Sequence, residues 1–294
     1  MAAMQGSAGP GAAPGDGAEL AGSQLLLGDN WGVLRALPDG CIDLVYIDPP
    51  FGTGRVRRLD SIKTGSGERR RRGFGGREYR FQVVSGQSYR DDLAPQDYLD
   101  FLEQRLVQIH RVLKPEGSLY LHLDFRVSHH ARLLLDQIFG PERFLNEIIW
   151  AYDYGGRPHD RWPRKHDNIL WYAKSRHWTF NRDEIDRIPY MAPGLVGAEK
   201  AALGKLPTDT WWMTIVPTGG RERTGYPTQK PLALLERIVR ASSHQGDLVA
   251  DFFCGSGTTG VAAQRLGRRY LLVDDNPAAV AISRARLGLD LPPG

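Results

Sequence analysis

From Gln24 onward, short apolar runs alternate with segments whose apolar residues recur every three or four positions. QLLLGD (24–29) reads as a short buried strand. NWGVLRALPDG follows with Trp31, Leu34 and Leu37 at helical spacing, ended by a Pro-Asp-Gly turn. CIDLVYI is a buried strand that stops at Asp48. APQDYLDFLEQRLVQIHRVL is an amphipathic helix, with Leu99, Leu102, Leu106, Ile109 and Leu113 on one face. KPEG closes it, and SLYLHLD is the next strand. Residues 128–139 form a further helix, stopped by Gly140-Pro141. RFLNEIIWAY and DNILWYAK read as strands around a basic, glycine-containing segment. KPLALLERIVRASS is helical, with Pro231 near its first turn. The chain then runs strand (DLVADFF), glycine-rich turn (CGSGTTG), helix (TTGVAAQRLG), strand (RRYLLVDD) and helix (NPAAVAISRARLG).

Three stretches fall outside this alternation. Residues 1–23 are rich in Gly, Ala and Pro and read as a disordered tail; with no basic start before a long apolar stretch, they do not read as a signal peptide. Residues 55–92 are rich in Arg and Gly with few aliphatics. They read as a solvated loop, whose length beside a candidate site suggests a lid or binding loop. Residues 181–225 read as irregular. Strands alternating with helices argue for a parallel α/β sheet covered on both faces, with an inserted, variable region.

Composition changes this picture little. The chain has 294 residues, 41% of them hydrophobic and 24% charged, which suits one large globular domain or a core with an insertion. The apolar runs are far short of a membrane span. The formal net charge of +4 is a weak pointer to an anionic partner. Two cysteines, Cys41 and Cys254, exclude a disulfide framework or a cysteine zinc cluster and fit a reducing cytoplasm. The histidines show no metal-ligand pattern.

The C-terminal turn carries the first chemistry. Gly255 and Gly257 lack a Cβ, so a ligand can approach the backbone at the strand tip, where the N–H groups of the next helix face it. Asp274 closes the following strand about 20 residues on, placed to accept hydrogen bonds from ribose hydroxyls. The turn lacks both the G-x-G-x-x-G spacing and a Gly-Lys-Ser/Thr, so the ligand has a ribose and no pyrophosphate. S-adenosylmethionine fits; the plainer reading is a turn whose glycines serve packing. Only one helix follows this unit, so the remaining strands of a doubly wound sheet must come from the N-terminal half. The fold is then circularly permuted, and Asp48 and the turn meet at one sheet edge.

These motifs resemble a known family. Asp48-Pro49-Pro50-Phe51 matches the catalytic tetrad of S-adenosylmethionine-dependent DNA amino-methyltransferases of the permuted, beta-type order. Residues 251–259 match the family's D-P-F-x-G-S-G-T-T loop, with Phe252 in place of proline. Residues 227–232 reproduce its P-T-Q-K-P-L segment. Two further departures are Asp274, where the family carries glutamate, and Gly52, where asparagine is commoner. The resemblance runs from about Gln24 to Leu287. It implies an α/β, Rossmann-like methyltransferase sheet, doubly wound and circularly permuted. Residues 24–149 would form the catalytic half, 150–225 the target-recognition region and 226–294 the cofactor-binding half. It also implies a cofactor set of Asp29, Gln229, Lys230, Asp251, Phe253, Gly255, Ser256, Gly257, Thr258 and Asp274, with no metal. Asp29 could equally be the N-cap of the helix after it.

An exocyclic amino nitrogen is a poor nucleophile, because its lone pair is delocalised into the ring. Asp48 supplies an anionic acceptor for its N–H, the Pro49 carbonyl a second, and the prolines offer no competing N–H. Phe51 stacks on a base flipped out of the duplex. No Pro-Cys motif exists for carbon-5 chemistry, and Cys254 reads as a packing residue. The leading expectation is adenine-N6 methylation of double-stranded DNA, with cytosine-N4 methylation as its alternative. A non-catalytic DNA-binding scaffold and an RNA or protein substrate remain open. Basic stretches at 55–80, 155–166 and 218–230 would meet phosphates, the first closing over DNA or staying disordered without it. The resemblance also admits a homodimer and a cognate restriction endonuclease.

Overall fold

The computed structural model describes residues 22–50, 55–72, 78–91 and 95–289, with side chains described for 22–50 and 97–289. The tail expected over 1–23 lies outside the described residues apart from its last two, and so does Phe51. The chain divides into two compact units, Pro50–Tyr98 and the remainder.

In chain order the elements are β1 (Gln24–Leu27), α1 (Asn30–Ala36), β2 (Ile42–Ile47), β3 (Arg55–Arg72), β4 (Glu78–Asp91), α2 (Pro95–Val112), β5 (Leu113–Leu123) and α3 (Ser128–Phe139). Then come β6 (Phe144–Ala151), β7 (His166–Ala173), α4 (Ala198–Leu203), β8 (Thr210–Trp212), α5 (Leu232–Ser242), β9 (Leu248–Asp251), α6 (Thr258–Arg265), β10 (Arg269–Asp274) and α7 (Pro277–Arg286).

The larger unit is built on one eight-stranded sheet of order β1-β10-β9-β2-β5-β7-β6-β8. The first five strands are parallel; β7 runs antiparallel to both β5 and β6, and β8 is parallel to β6. The C-terminal β9–α6–β10 unit therefore lies between the N-terminal strands β1 and β2, the arrangement expected of a permuted chain. Alternation along the strands builds two apolar layers. Leu44, Tyr46, Tyr120 and Trp171 pack with Leu234, Leu235 and Ile238 of α5 and Val261 and Ala262 of α6. Tyr172, on the opposite face of β7, meets Phe139 of α3, which meets His110 of α2.

Two expectations are corrected. KPEG does not separate helix from strand. The helix ends at Val112, β5 starts at Leu113, and the ladder partner of β2 jumps from Leu113 (opposite Ile42) to Ser118 (opposite Leu44). Residues 114–117 bulge out of the ladder. A Cβ at Gly117 would lie 3.0 Å from the Asp43 and Lys114 carbonyl oxygens, so a side chain there would force this bulge open by a few tenths of an ångström.

Residues 55–92, expected as a structureless loop, contain β3 and β4, paired antiparallel. Arginine dominates the composition, but strand-forming residues fall opposite one another, with Ile62 across from Val83 and Thr64 from Phe81. Within 181–225, the short α4 and β8 interrupt the irregular chain, and β8 completes the sheet.

Candidate active site

The site is organised where the strand order reverses. From β9 the chain passes through α6 to β10 on one side; β2 pairs with β5 on the other. Ligands in open α/β sheets bind beyond the carboxyl ends of strands at such a point. Val45 of β2 pairs with Ala250 of β9. Asp48 and Phe253 each follow three residues later, so the Asp-Pro-Pro segment and the glycine turn leave adjacent strands at the same height, about 4.8 Å apart.

The glycine turn is held from three sides. Gly257 has φ +73, and a Cβ there would lie 2.6 Å from Ser283 Oγ and 3.1 Å from Ser283 Cα. Glycine thus lets α7 close on the turn. Ser283 Oγ donates to the Gly255 carbonyl at 2.9 Å, and Arg286 donates to the Ser256 carbonyl at 2.7 Å and Thr258 Oγ1 at 2.9 Å. From β10, Asp274 accepts from Gly255 N at 2.7 Å and Asn276 N at 3.0 Å. Burial raises the Asp274 carboxyl above the ordinary range against the pull of those two N–H groups. From α1, Asn30 donates to the Phe252 carbonyl at 2.8 Å and accepts from Arg105 Nε at 2.6 Å.

Beneath the turn, Asp251 accepts from Thr259 Oγ1 at 2.5 Å and Phe253 N at 3.0 Å. Burial pushes its carboxyl up to about 7, and the nearby Asp48 and Asp274 add to the rise while those hydrogen bonds oppose it.

Asp48 stands at the tip of β2. Its Oδ2 accepts from Lys230 Nζ, and its Oδ1 is buried with no partner among the described residues. Pro49 is buried beside it. Below lies a polar chain that is buried at Tyr46 and His122 and half-buried at Asp167 and Tyr152: Tyr46 Oη to His122 Nδ1 at 2.8 Å, His122 Nε2 to Asp167 Oδ2 at 3.2 Å, and Tyr152 Oη to Asp167 Oδ1 at 3.1 Å. Burial works to raise the Asp167 carboxyl, but His122, Lys230 and Tyr152 together hold it below the ordinary range.

The structure brings most of the expected residues to this edge, in differing postures. Asp29 is the N-cap of α1, accepting from Trp31 N at 3.2 Å, and its exposed carboxylate lies 3.4 Å from Arg105. Phe253 is half-buried, with its ring 6.0 Å from that of Phe101, over which Arg105 lies. Asp251, Ser256 and Thr258 are buried. Gln229 faces its own loop: its Oε1 accepts from Thr224 N and Oγ1, both at 2.8 Å, and its Nε2 donates to the Glu222 carbonyl at 2.6 Å. Lys230 points at Asp48. Cys254 is buried, and burial raises its thiol well above the ordinary range, which suits a packing residue.

Sequence reasoning passed over Asn30, Phe101, Arg105, Asp167, Ser283 and Arg286. Only Asn30 left a signal, as a polar residue directly after the cap. The others act across 20 to 150 residues of sequence with no motif around them.

A strand-tip carboxylate with one buried oxygen, unpartnered among the described residues, thus stands beside a glycine turn flanked by acids. Residues 42–285 match the model of the N6/N4 "DNA methylase" family, and the chain belongs to that family. It is 31% identical over 256 residues to type II methyltransferase M.HpaI of Haemophilus parainfluenzae, covering 86% of this chain and 70% of that protein. It is 27% identical to DNA adenine methyltransferase YhdJ of Escherichia coli, over 90% of this chain and 82% of that one. Among solved structures it is similar to the PvuII cytosine-N4-specific DNA methyltransferase, with TM-score 0.63, 17% identity, and 90% and 86% of the two chains covered. It is also similar to the M1.HpyAVI–SAM complex, with TM-score 0.57, 19% identity, and 91% and 99% covered.

Proposed function

We propose that this chain transfers a methyl group from S-adenosylmethionine to the N6 amino group of adenine in duplex DNA, after the base has left the stack. The observation that carries this reading is Asp48, whose buried Oδ1 has no partner among the described residues while its Oδ2 is engaged. A buried acceptor without a donor is costly, by about 1–3 kcal/mol, and an incoming N–H relieves it.

The donor chemistry fits the cofactor. Asp29 and Asp274 stand at the tips of the adjacent strands β1 and β10, where Leu27 pairs with Asp274. Their carboxylates accept from ribose hydroxyls and an adenine amino group, and the half-buried Phe253 ring gives a purine an apolar face. Bound there, S-adenosylmethionine supplies an electrophilic methyl group. Asp48 Oδ1 accepts one N–H of the acceptor amine and the Pro49 carbonyl the other, which localises the nitrogen lone pair toward that methyl. Phe51, outside the described residues, is assigned the face of the flipped base.

Two points favour adenine: aspartate heads the tetrad, and YhdJ carries the name of an adenine methyltransferase. Target reading is assigned to residues 150–225, where Trp162 stands exposed in a stretch with Arg157, Arg161 and Arg164, and Trp212 is also exposed. The type II name of M.HpaI fits a cognate endonuclease as a partner. Nucleoside mass spectrometry of unmethylated duplex DNA, treated with the protein and labelled S-adenosylmethionine, tests the reading. It predicts label in N6-methyladenine; label confined to N4-methylcytosine overturns the choice of base.

A further inference from the structure

Lys230 falls in the segment that the sequence assigned to the cofactor. We infer instead that it is a positioning residue for Asp48: it occupies Oδ2 and so reserves Oδ1 for the acceptor amine. The inference rests on the proposed methyl transfer and deepens it by dividing the two oxygens of one carboxylate between two tasks.

Four observations carry it. First, the pair is enclosed. The side chains of Lys230 and Asp48 are 11% and 15% exposed, so bulk water screens the pair only weakly. Second, the contact is one-sided. Of the two Asp48 oxygens, Oδ2 accepts from Lys230, and the buried Oδ1 has no hydrogen-bond partner among the described residues. A carboxylate without such an anchor can turn about its terminal torsion and exchange its oxygens.

Third, the other acid near Lys230 is already engaged. Asp167 receives His122 on one oxygen at 3.2 Å and Tyr152 on the other at 3.1 Å, while the Lys230 charge still helps hold its carboxyl low. The ammonium is thus held between two acids with Asp48 as its direct partner.

Fourth, the lysine backbone is pinned on both sides. Its carbonyl accepts from Thr258 Oγ1, the first residue of α6, at 3.2 Å. Gln229 before it is tied to Glu222 and Thr224, and Pro231 after it is the N-cap of α5. Thr258 in turn accepts from Arg286 at 2.9 Å. A short covalent and hydrogen-bonded path therefore runs from the glycine turn through Lys230 to the catalytic acid. It fixes the acceptor carboxylate relative to the strand tip where the methyl donor is proposed to sit.

Lys230→Met and Lys230→Arg test the assignment, with Lys230→Gln as a second neutral variant that keeps a hydrogen-bond donor. Each is measured for S-adenosylmethionine Kd by calorimetry and for the single-turnover rate at saturating cofactor and DNA. Loss of carboxylate orientation lowers the single-turnover rate about 10²-fold in the methionine variant, the scale of removing one preorganised group. Cofactor Kd stays within about 3-fold, glutamine loses less than methionine, and arginine recovers most of the rate. A cofactor Kd raised tenfold or more with an unchanged saturated rate overturns the inference and returns Lys230 to the cofactor. So does an arginine variant as slow as the methionine one. The methylated base is identified in the same reactions. Label on cytosine N4 would refute the adenine proposal, while the comparison of Lys230 variants would still decide this one.

Discussion

Replacing Asp251 with asparagine changes how stability depends on pH, in a direction fixed by its environment. Asp251 is buried under the glycine turn, and its carboxyl is raised from 3.8 to about 7. The folded state therefore holds a proton that the unfolded chain releases near 3.8. The stability contributed by this group is fully present below that value and is lost as pH rises through about 7. A shift of about three pH units corresponds to roughly 4 kcal/mol at about 1.4 kcal/mol per unit. Most of it, about 3 kcal/mol, is lost between pH 5 and pH 8. Asparagine mimics the protonated acid. Its carbonyl oxygen accepts from Phe253 N, its NH2 faces Thr259 Oγ1, and it carries no charge toward Asp48 and Asp274. Urea denaturation of both proteins at pH 5, 6, 7 and 8 gives the difference in unfolding free energy. That difference moves in favour of Asp251→Asn by about 3 kcal/mol from pH 5 to pH 8. A difference that is flat with pH, or that moves toward the wild type, would refute the buried, protonated carboxyl.

Gly257→Ala combines a left-handed backbone with a Cβ 2.6 Å from Ser283 Oγ. It destabilises the fold by about 3 kcal/mol, read by denaturation, and Ser283→Gly in the same chain recovers part of the loss. Asn30→Ala leaves the Phe252 carbonyl without its side-chain donor and Arg105 Nε without its acceptor, while Arg105 keeps the Phe101 carbonyl and Asp29. It lowers the unfolding free energy by about 2–3 kcal/mol. Asp274→Asn sets an NH2 against Gly255 N or Asn276 N and weakens S-adenosylmethionine binding about tenfold or more by calorimetry.

Much of this arrangement was legible in the sequence because it is local. The strand tips at Asp48 and Asp274, the glycine turn and the N-cap at Asp29 each follow from a few adjacent residues. The permuted sheet followed from counting strands after the last βαβ unit. What escaped was long-range or masked by composition. The β3–β4 pair was hidden by its arginines, since scattered strand-forming residues such as Val56, Ile62, Phe81 and Val83 are a weak signal beside a charge run. The bulge at 114–117 depends on a ladder partner 70 residues away. Lys230 and Gln229 are neighbours in one motif, yet one reaches Asp48 and the other braces its own loop. Only the fold of 222–232 separates those roles.

The central claim is that Asp48 accepts a proton-bearing amine beside the methyl-donor turn. Asp48→Ala, measured by single-turnover methyl transfer to duplex DNA at saturating S-adenosylmethionine, with cofactor Kd measured alongside, tests it most directly. The account predicts a rate lowered by about 10³-fold or more with cofactor Kd within about 3-fold. Transfer at the wild-type rate by Asp48→Ala would contradict it.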